Sequence, residues 1–229
     1  MIQEVYQNKL LINEYRLKAL YAQINPHFLY NTLGLINNKA IMADQDEISH
    51  MTLLLAQFYR TCLNHGKEIT TIEKELENIR LYLEIQQITY HHNFEVLWQI
   101  NSNLYAIEMP NFILQPIVEN AIFHGLDEIE EGGIVTIKTT RSEDDLYITV
   151  TDNGVGFSKE KLYDLTRKLE EEITFINNSS SETSDNIGVI NIHNKIRLYE
   201  GNNYGLSINN IPNHTSVTLH LNAKQQTTT

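Results

Sequence analysis

The chain has 229 residues, 41% of them hydrophobic, which is enough for one large domain or two small ones with cores of their own and excludes disorder over most of its length. Acidic residues outnumber basic ones by 29 to 17, and a net charge of -12 repels a phosphate backbone, so no nucleic-acid partner is expected. The one cysteine, Cys62, can form neither an internal disulfide nor a cysteine zinc site, which points to a reducing compartment, the cytoplasm. The longest apolar run, Leu53-Leu54-Leu55-Ala56, falls far short of the ~20 residues that span a bilayer. Residues 1–6 carry no basic stretch ahead of an apolar one, so no signal peptide is expected.

From Ile2 to about Leu63 the pattern is helical, with no glycine before Gly34 and only one proline. Ile2, Val5, Leu10, Leu17, Leu20 and Ile24 recur at roughly three-and-four spacing up to Asn25-Pro26, which kinks the helix or restarts it with Asn25 as N-cap. A second stripe is Ile48, Met51, Leu55, Phe58, Tyr59 and Cys62. After a turn at Asn64-His65-Gly66-Lys67, Thr70 and Glu73 make a capping box before a third helix with Ile72, Leu76, Ile79 and Leu83 on one side.

Beyond Tyr90 the period changes to two, with Phe94, Val96, Trp98 and Ile100 alternating against Glu95, Leu97 and Gln99, and the domain change is placed here. A helix over 111–126 is expected after Pro110, then a hairpin of 134–140 and 146–151 around Glu143-Asp144-Asp145, then a helix over 158–171. Asn177-Asn178-Ser179-Ser180-Ser181 reads as a mobile loop. A helix over 188–200, ended by Gly201, and strands 204–211 and 215–221 complete an α+β chain.

Four segments carry chemistry. In Gln23-Ile24-Asn25-Pro26-His27-Phe28-Leu29-Tyr30-Asn31-Thr32-Leu33 the helical projection gathers Phe28, Leu29, Leu33, Leu35 and Ile36 on one face and sets His27, Asn31, Gly34 and Asn38 opposite. An exposed imidazole with an amide one turn later, able to fix its tautomer, suits a nucleophilic histidine, although the same residues also read as a plain surface face. Glu119 and Asn120, with His124 one turn on, offer an amide oxygen to a magnesium ion that keeps waters and bridges phosphates, or simply a solvated face.

Asp152-Asn153-Gly154-Val155-Gly156-Phe157 allows close backbone approach to a ligand and an acceptor for an amino group, or is a glycine-rich turn. It lacks the third glycine of a dinucleotide fingerprint, and no P-loop is present. Gly188-Val189-Ile190-Asn191 presents a helix N-terminus to an anion.

In this order the four segments resemble the sensor histidine kinases of the LytS/YehU type, in which a dimerising helical hairpin precedes a GHKL-type ATP-binding domain. Residues 23–33 are similar to the phosphoacceptor motif, Leu114 to Gly125 to the N-box, Asp152 to Gly156 to the first glycine box and Gly188 to Lys195 to the second. The resemblance implies a helical dimerisation and phosphotransfer region over 1–90, a four-helix bundle in the homodimer. It also implies an ATP-binding α/β sandwich with a mixed, mostly antiparallel sheet over 91–222, and a tail over 223–229.

By the same resemblance His27 receives the γ-phosphoryl group of ATP, Asn120 holds Mg2+ against the phosphates and Asp152 accepts from the adenine amino group. Asn31 and Glu119 join His27 as catalytic residues, while His124, Gly154, Gly156, Gly188, Asn191 and Lys195 complete the nucleotide site under a lid of 172–187. The phosphoryl group then passes to an aspartate of a response regulator receiver domain, and an upstream segment ties the cytoplasmic core to a membrane sensor.

Three departures stand out: Thr89 where the family has a basic residue, Lys195 where arginine is usual, and His214 in place of a glycine before Thr215. Pro116 occupies the position of the water-activating acid of some related ATPases, which disfavours hydrolysis as the main activity. The competing reading is a catalytically silent nucleotide-binding dimer that signals by conformation or pairs with an active kinase. A metal scaffold built on His91, His92 and His124 has no ligand spacing to support it.

Overall fold

A computed structural model describes residues 26–63, 68–89, 94–170 and 184–224. The chain divides into two compact units, 1–67 and 68–229. The stripe between Ile2 and Ile24, the Asn25 cap, Gln23, the turn at 64–67, His91 and His92, and the loop at 177–181 lie outside the described residues.

The first unit is a hairpin of α1 (Pro26–Met42) and α2 (Asp46–Leu63). The turn between them is short because Gln45 N–H donates back to the Ala40 carbonyl at 2.9 Å while Asp44 takes a φ of 52°. Lys39 in the last turn of α1, and Asp46 and Glu47 in the first turn of α2, each oppose the charge of the helix end they occupy. Between the helices Ser49 Oγ donates to Asn37 Oδ1 at 2.7 Å, and the Arg60 guanidinium stands 5.6 Å from the centre of the Tyr30 ring.

Two helices bury only a narrow seam, here Ala40, Thr52 and Leu54. The expected apolar faces are wider than that seam. Phe28 is 70% exposed and Leu35 57%, and in the α2 stripe Ile48 and Tyr59 are exposed while Met51, Leu55, Phe58 and Cys62 are half-buried.

The second unit opens with β1 (Ile69–Thr71), antiparallel to β3 (Glu108–Pro110), and α3 (Ile72–Thr89). The capping residue is Thr71, the last residue of β1, rather than Thr70: its Oγ accepts from Lys74 N–H. Ile72, Leu76, Ile79 and Leu83 are buried as their spacing requires. A five-stranded sheet follows in the order β2 (Phe94–Gln99), β4 (Gly133–Ser142), β5 (Asp145–Asp152), β7 (His214–Asn222), β6 (Gly205–Ile211). Only β2 and β4 run parallel, so the sheet is mixed and mostly antiparallel.

Val135, Ile137, Ile148, Val150, Leu219 and Leu221 alternate onto the buried face, against which α5 (Lys159–Glu170), α6 (Ser184–Glu200) and the turn 121–125 lie. The other face is half-exposed and rich in hydroxyls, with Thr149 and Thr218 paired across β5 and β7 at 3.0 Å. Buried His193 on α6 accepts the Leu206 N–H through Nδ1 at 3.0 Å and so ties the helix to β6. Burial, helped by Arg197, lowers its pKa to about 4 and keeps the ring neutral.

Two expected helices have different starts. α4 (Gln115–Asn120) begins at Gln115, not at residue 111, and passes into a π-turn over Ala121–Gly125. The local reason is Pro116, which fits only the first turn of a helix, and the tertiary one is Glu75 of α3, a buried carboxylate whose Oε1 accepts from Ile113 N–H (2.9 Å) and Leu114 N–H (3.1 Å) and whose Oε2 accepts from Phe112 N–H (3.2 Å). Phe112 takes a φ of 54°, so 111–114 is a turn held by a side chain rather than helix. Lys195 of α6 closes the arrangement by donating from Nζ to the Asn111 carbonyl at 2.6 Å. The other helix, α6, starts at Ser184 and not at residue 188.

By packing, the second unit thus begins at Glu68, upstream of the change in period near residue 90, because α3 is bound into it through Glu75. At its far end Ala223 is buried and donates to the Asp144 carbonyl at 2.7 Å, so the fold continues one residue into the expected tail.

Burial raises the pKa of Glu75 against the opposing pull of three amides and Lys195. Glu75→Ala leaves three amide donors without their acceptor, and urea unfolding of the second unit is expected to lose about 3 kcal/mol or more. A loss under about 1 kcal/mol would show that the carboxylate is not what holds the turn.

Candidate nucleotide-binding site

At one end of the sheet, where Asp152 of β5 pairs with Thr215 of β7, a cavity of about 230 Å³ opens between the π-turn and the loop 153–158. Its floor includes Asp152, Thr215 and Val150, one wall carries Asn120 and His124, and the facing wall carries Gly156, Phe157 and Lys161.

The two walls meet at backbone level. A Cβ on Gly154 would stand 1.8 Å from the Gly125 carbonyl oxygen, and Val155 N–H donates to that same oxygen at 3.2 Å. Only glycine fits there. Gly156 takes a φ of +73°, a left-handed conformation that brings the following peptide onto β6. Asn210 receives that peptide with both ends of its amide, accepting from Phe157 N–H at 2.9 Å and donating to the Phe157 carbonyl at 3.1 Å. Thr215 Oγ donates to the same Asn210 oxygen at 3.0 Å, and Asn153 pins the start of β4 by accepting from Ile134 N–H at 2.7 Å.

Asp152 is 6% exposed, and within the chain its Oδ1 accepts the Gly154 N–H at 3.0 Å. Desolvation pushes its pKa up to about 6, opposed by that amide and by the nearby His214. A buried carboxylate on the floor of an otherwise largely apolar cavity is an acceptor for a ligand N–H.

Of the expected site residues, Asn120, His124, Asp152 and Gly156 line this cavity, and Gly154 forms its seam with Gly125. Glu119 is not among the lining residues: its Oε1 accepts from Gln115 Nε2, one turn back, at 2.9 Å. Gly188 lies in the second turn of α6, so it does not open the helix, and Asn191 is exposed; neither lines the cavity. Lys195 is committed to Asn111, and burial lowers its pKa against the pull of Glu75 and Glu68.

Sequence reasoning gave Phe157 no role beyond its place in the glycine-rich segment, and missed Lys161, Asn210 and the floor position of Thr215. The helix expected over 158–171 is α5, and its Ser158 N-cap, whose Oγ accepts Lys161 N–H at 3.2 Å, is the signal that would have pointed from that helix to Lys161.

His27 and Asn31 belong to the other unit. Both are exposed, and Asn31 Nδ2 stands 3.2 Å from His27 Nδ1, the contact expected one helical turn apart. With the amide nitrogen donating, the ring proton sits on Nε2; turning the amide over presents its oxygen to Nδ1–H and bares the Nε2 lone pair.

The model of the histidine kinase-, DNA gyrase B-, and HSP90-like ATPase family matches residues 110–225, just over half of the chain, and the histidine kinase model matches residues 15–94. The chain belongs to the histidine kinase family.

Sensor protein LytS of Oceanobacillus iheyensis is 37% identical over 72% of this chain and 28% of its own length. Sensor histidine kinase YesM of Bacillus subtilis is 34% identical over 91% of this chain and 33% of its own. Sensor histidine kinase BtsS of Escherichia coli is 29% identical over 94% and 35%. The chain thus spans about a third of the length of the curated relatives it matches. The α+β fold, with a helical hairpin ahead of a mixed sheet, agrees with what the resemblance implied for this kinase family.

The raised pKa of Asp152 has a stability consequence. Between about pH 4 and pH 6 the folded unit keeps a proton that the unfolded chain has lost, so the Asp152 contribution is greatest at low pH and declines as pH rises through that window. Asp152→Asn should flatten that part of the stability profile in urea titrations at stepped pH. An unchanged profile would remove the carboxylate from its buried position.

Proposed function

We propose that the chain is the kinase core of a two-component sensor, which binds ATP in the Asp152 cavity, phosphorylates its own His27 and passes the phosphoryl group to an aspartate on a response regulator receiver domain. The observation that carries this reading is the buried Asp152 carboxylate on the floor of the cavity, an acceptor suited to the exocyclic amino group of adenine. The close glycine seam and the apolar neighbours Ile117, Ala121 and Val150 suit a flat base.

Asn120 on the cavity wall is the residue that would hold Mg2+. Bound there, Mg2+ supplies charge neutralisation to the phosphates. The protein's own part is positioning. Asn31 sets the His27 tautomer, and a bared ring nitrogen forms the N–P bond as the γ-phosphorus parts from its bridging oxygen and ADP leaves. Of the lid expected over 172–187, residues 172–183 lie outside the described residues and 184–187 belong to α6.

The exposed apolar residues of the hairpin, Phe28, Leu35, Ile36, Ile48 and Leu53 among them, are covered by a second copy in a four-helix bundle. Among the described residues no helix is long and apolar enough to cross a membrane, and the core acts on the cytoplasmic side through an upstream segment.

Incubation with γ-labelled ATP and magnesium is expected to place acid-labile label on His27, with none on His27→Gln although ATP still binds. Label persisting in that variant would move the acceptor elsewhere. ATP binding with no label in the unaltered chain would instead favour the silent dimer.

A second outcome concerns pH. Calorimetric affinity for ATP should weaken below about pH 6 as Asp152 takes up a proton and ceases to be a pure acceptor. Affinity independent of pH between 5 and 7 would detach the base from Asp152.

A further inference from the structure

A nucleotide polyphosphate needs compensating charge, and a chain of net charge -12 supplies little of it by default. The cations that sequence reasoning pointed to are spent or absent. Lys195 Nζ is 2.6 Å from the Asn111 carbonyl and is not among the cavity-lining residues. Thr89 has a hydroxyl that donates to the Ile85 carbonyl of its own helix at 2.9 Å.

Among the described residues that line the cavity, Lys161 is the one lysine or arginine. It stands in the first turn of α5, where its N–H is capped by Ser158 Oγ, and Ser158 lines the cavity too. The positive end of a 12-residue helix therefore bears on the same space as the lysine. The Lys161 ammonium lies 5.8 Å from the centre of the Phe157 ring, and the Phe157 backbone is fixed at both ends by Asn210. The charge is thus mounted on a wall that is already held rigid.

We propose that Lys161 is the cation that holds the phosphate chain of the bound nucleotide, replacing in this chain the basic residues that are missing or engaged elsewhere. The inference rests on the nucleotide reading above. It requires that the effect of Lys161 scale with the negative charge of the ligand and fade with salt, because the charge of a half-buried side chain at the cavity is still partly screened.

The test is calorimetric titration of the whole chain with adenosine, ADP and ATP at two salt concentrations, for wild type, Lys161→Met and Lys161→Arg. Methionine keeps an apolar stem against Phe157, and arginine keeps the charge. Expected is a loss of about tenfold in ATP affinity for Lys161→Met, little change for adenosine, a shallower salt dependence, and recovery in Lys161→Arg. Equal weakening of adenosine and ATP would overturn the inference and make Lys161 part of the base wall. Unchanged ATP affinity would overturn it outright. If wild type bound adenosine but gained nothing from the phosphates, the nucleotide reading would stand and this inference would fall; binding of neither ligand would remove both.

Discussion

The carboxylate of Glu75 accepts three consecutive amide hydrogens, from Phe112, Ile113 and Leu114, in a place where it is itself 1% exposed. Those amides would otherwise be helix-end donors with no partner. Capturing them fixes where α4 begins, and the start of α4 fixes the direction in which Asn120 and His124 leave the helix for the cavity. Because Glu75 belongs to α3 and the Asn111 carbonyl is held by Lys195 of α6, one short turn keys together three helices that are far apart in sequence. Burial to this degree raises the pKa of the carboxylate, so the fold spends solvation energy to hold the turn, a cost that three hydrogen bonds and a lysine offset in part.

The same trade recurs at the cavity floor. Asp152 is pushed up to about 6 by burial and is only partly relieved by Gly154 N–H, which leaves acceptor capacity facing a ligand. Rigid backbone surrounds it: Gly125 and Gly154 touch, Asn210 grips the Phe157 peptide, and Asn153 anchors β4. Binding geometry is in this way built before any ligand arrives, which lowers the ordering cost of association.

Much of this was legible in the sequence, for physical reasons that differ by element. The β5 and β7 strands follow from strict alternation, and Ile72, Leu76, Ile79 and Leu83 from helical spacing, because burial enforces period. Asn120, His124, Asp152 and Gly156 were found because their motifs sit at element ends, where backbone geometry is demanding. The start of α4 was only partly legible: Pro116, which fits the first turn of a helix and not its interior, is a local signal for a start near Gln115, while the turn at 111–114 is held by Glu75, 37 to 39 residues away. The cap is Thr71 and not Thr70 because β1 runs on to Thr71 through its pairing with β3, which is equally non-local and delays the helix start to Ile72. Lys195 read as a ligand residue because its spacing matched a motif, while its actual partner, Asn111, lies 84 residues upstream. Lys161 and Asn210 carry no motif and became visible only once β6 and α5 were placed around the cavity.

The account's central claim is that the cavity recognises an adenine base through a buried carboxylate. A crystal structure of the chain with ADP and magnesium tests it most directly. The prediction is a base lying between the Gly125–Gly154 seam and Phe157, with its amino group within hydrogen-bond distance of an Asp152 oxygen. A nucleotide seated elsewhere, or a base in the cavity with its amino group turned away from Asp152, would contradict the account.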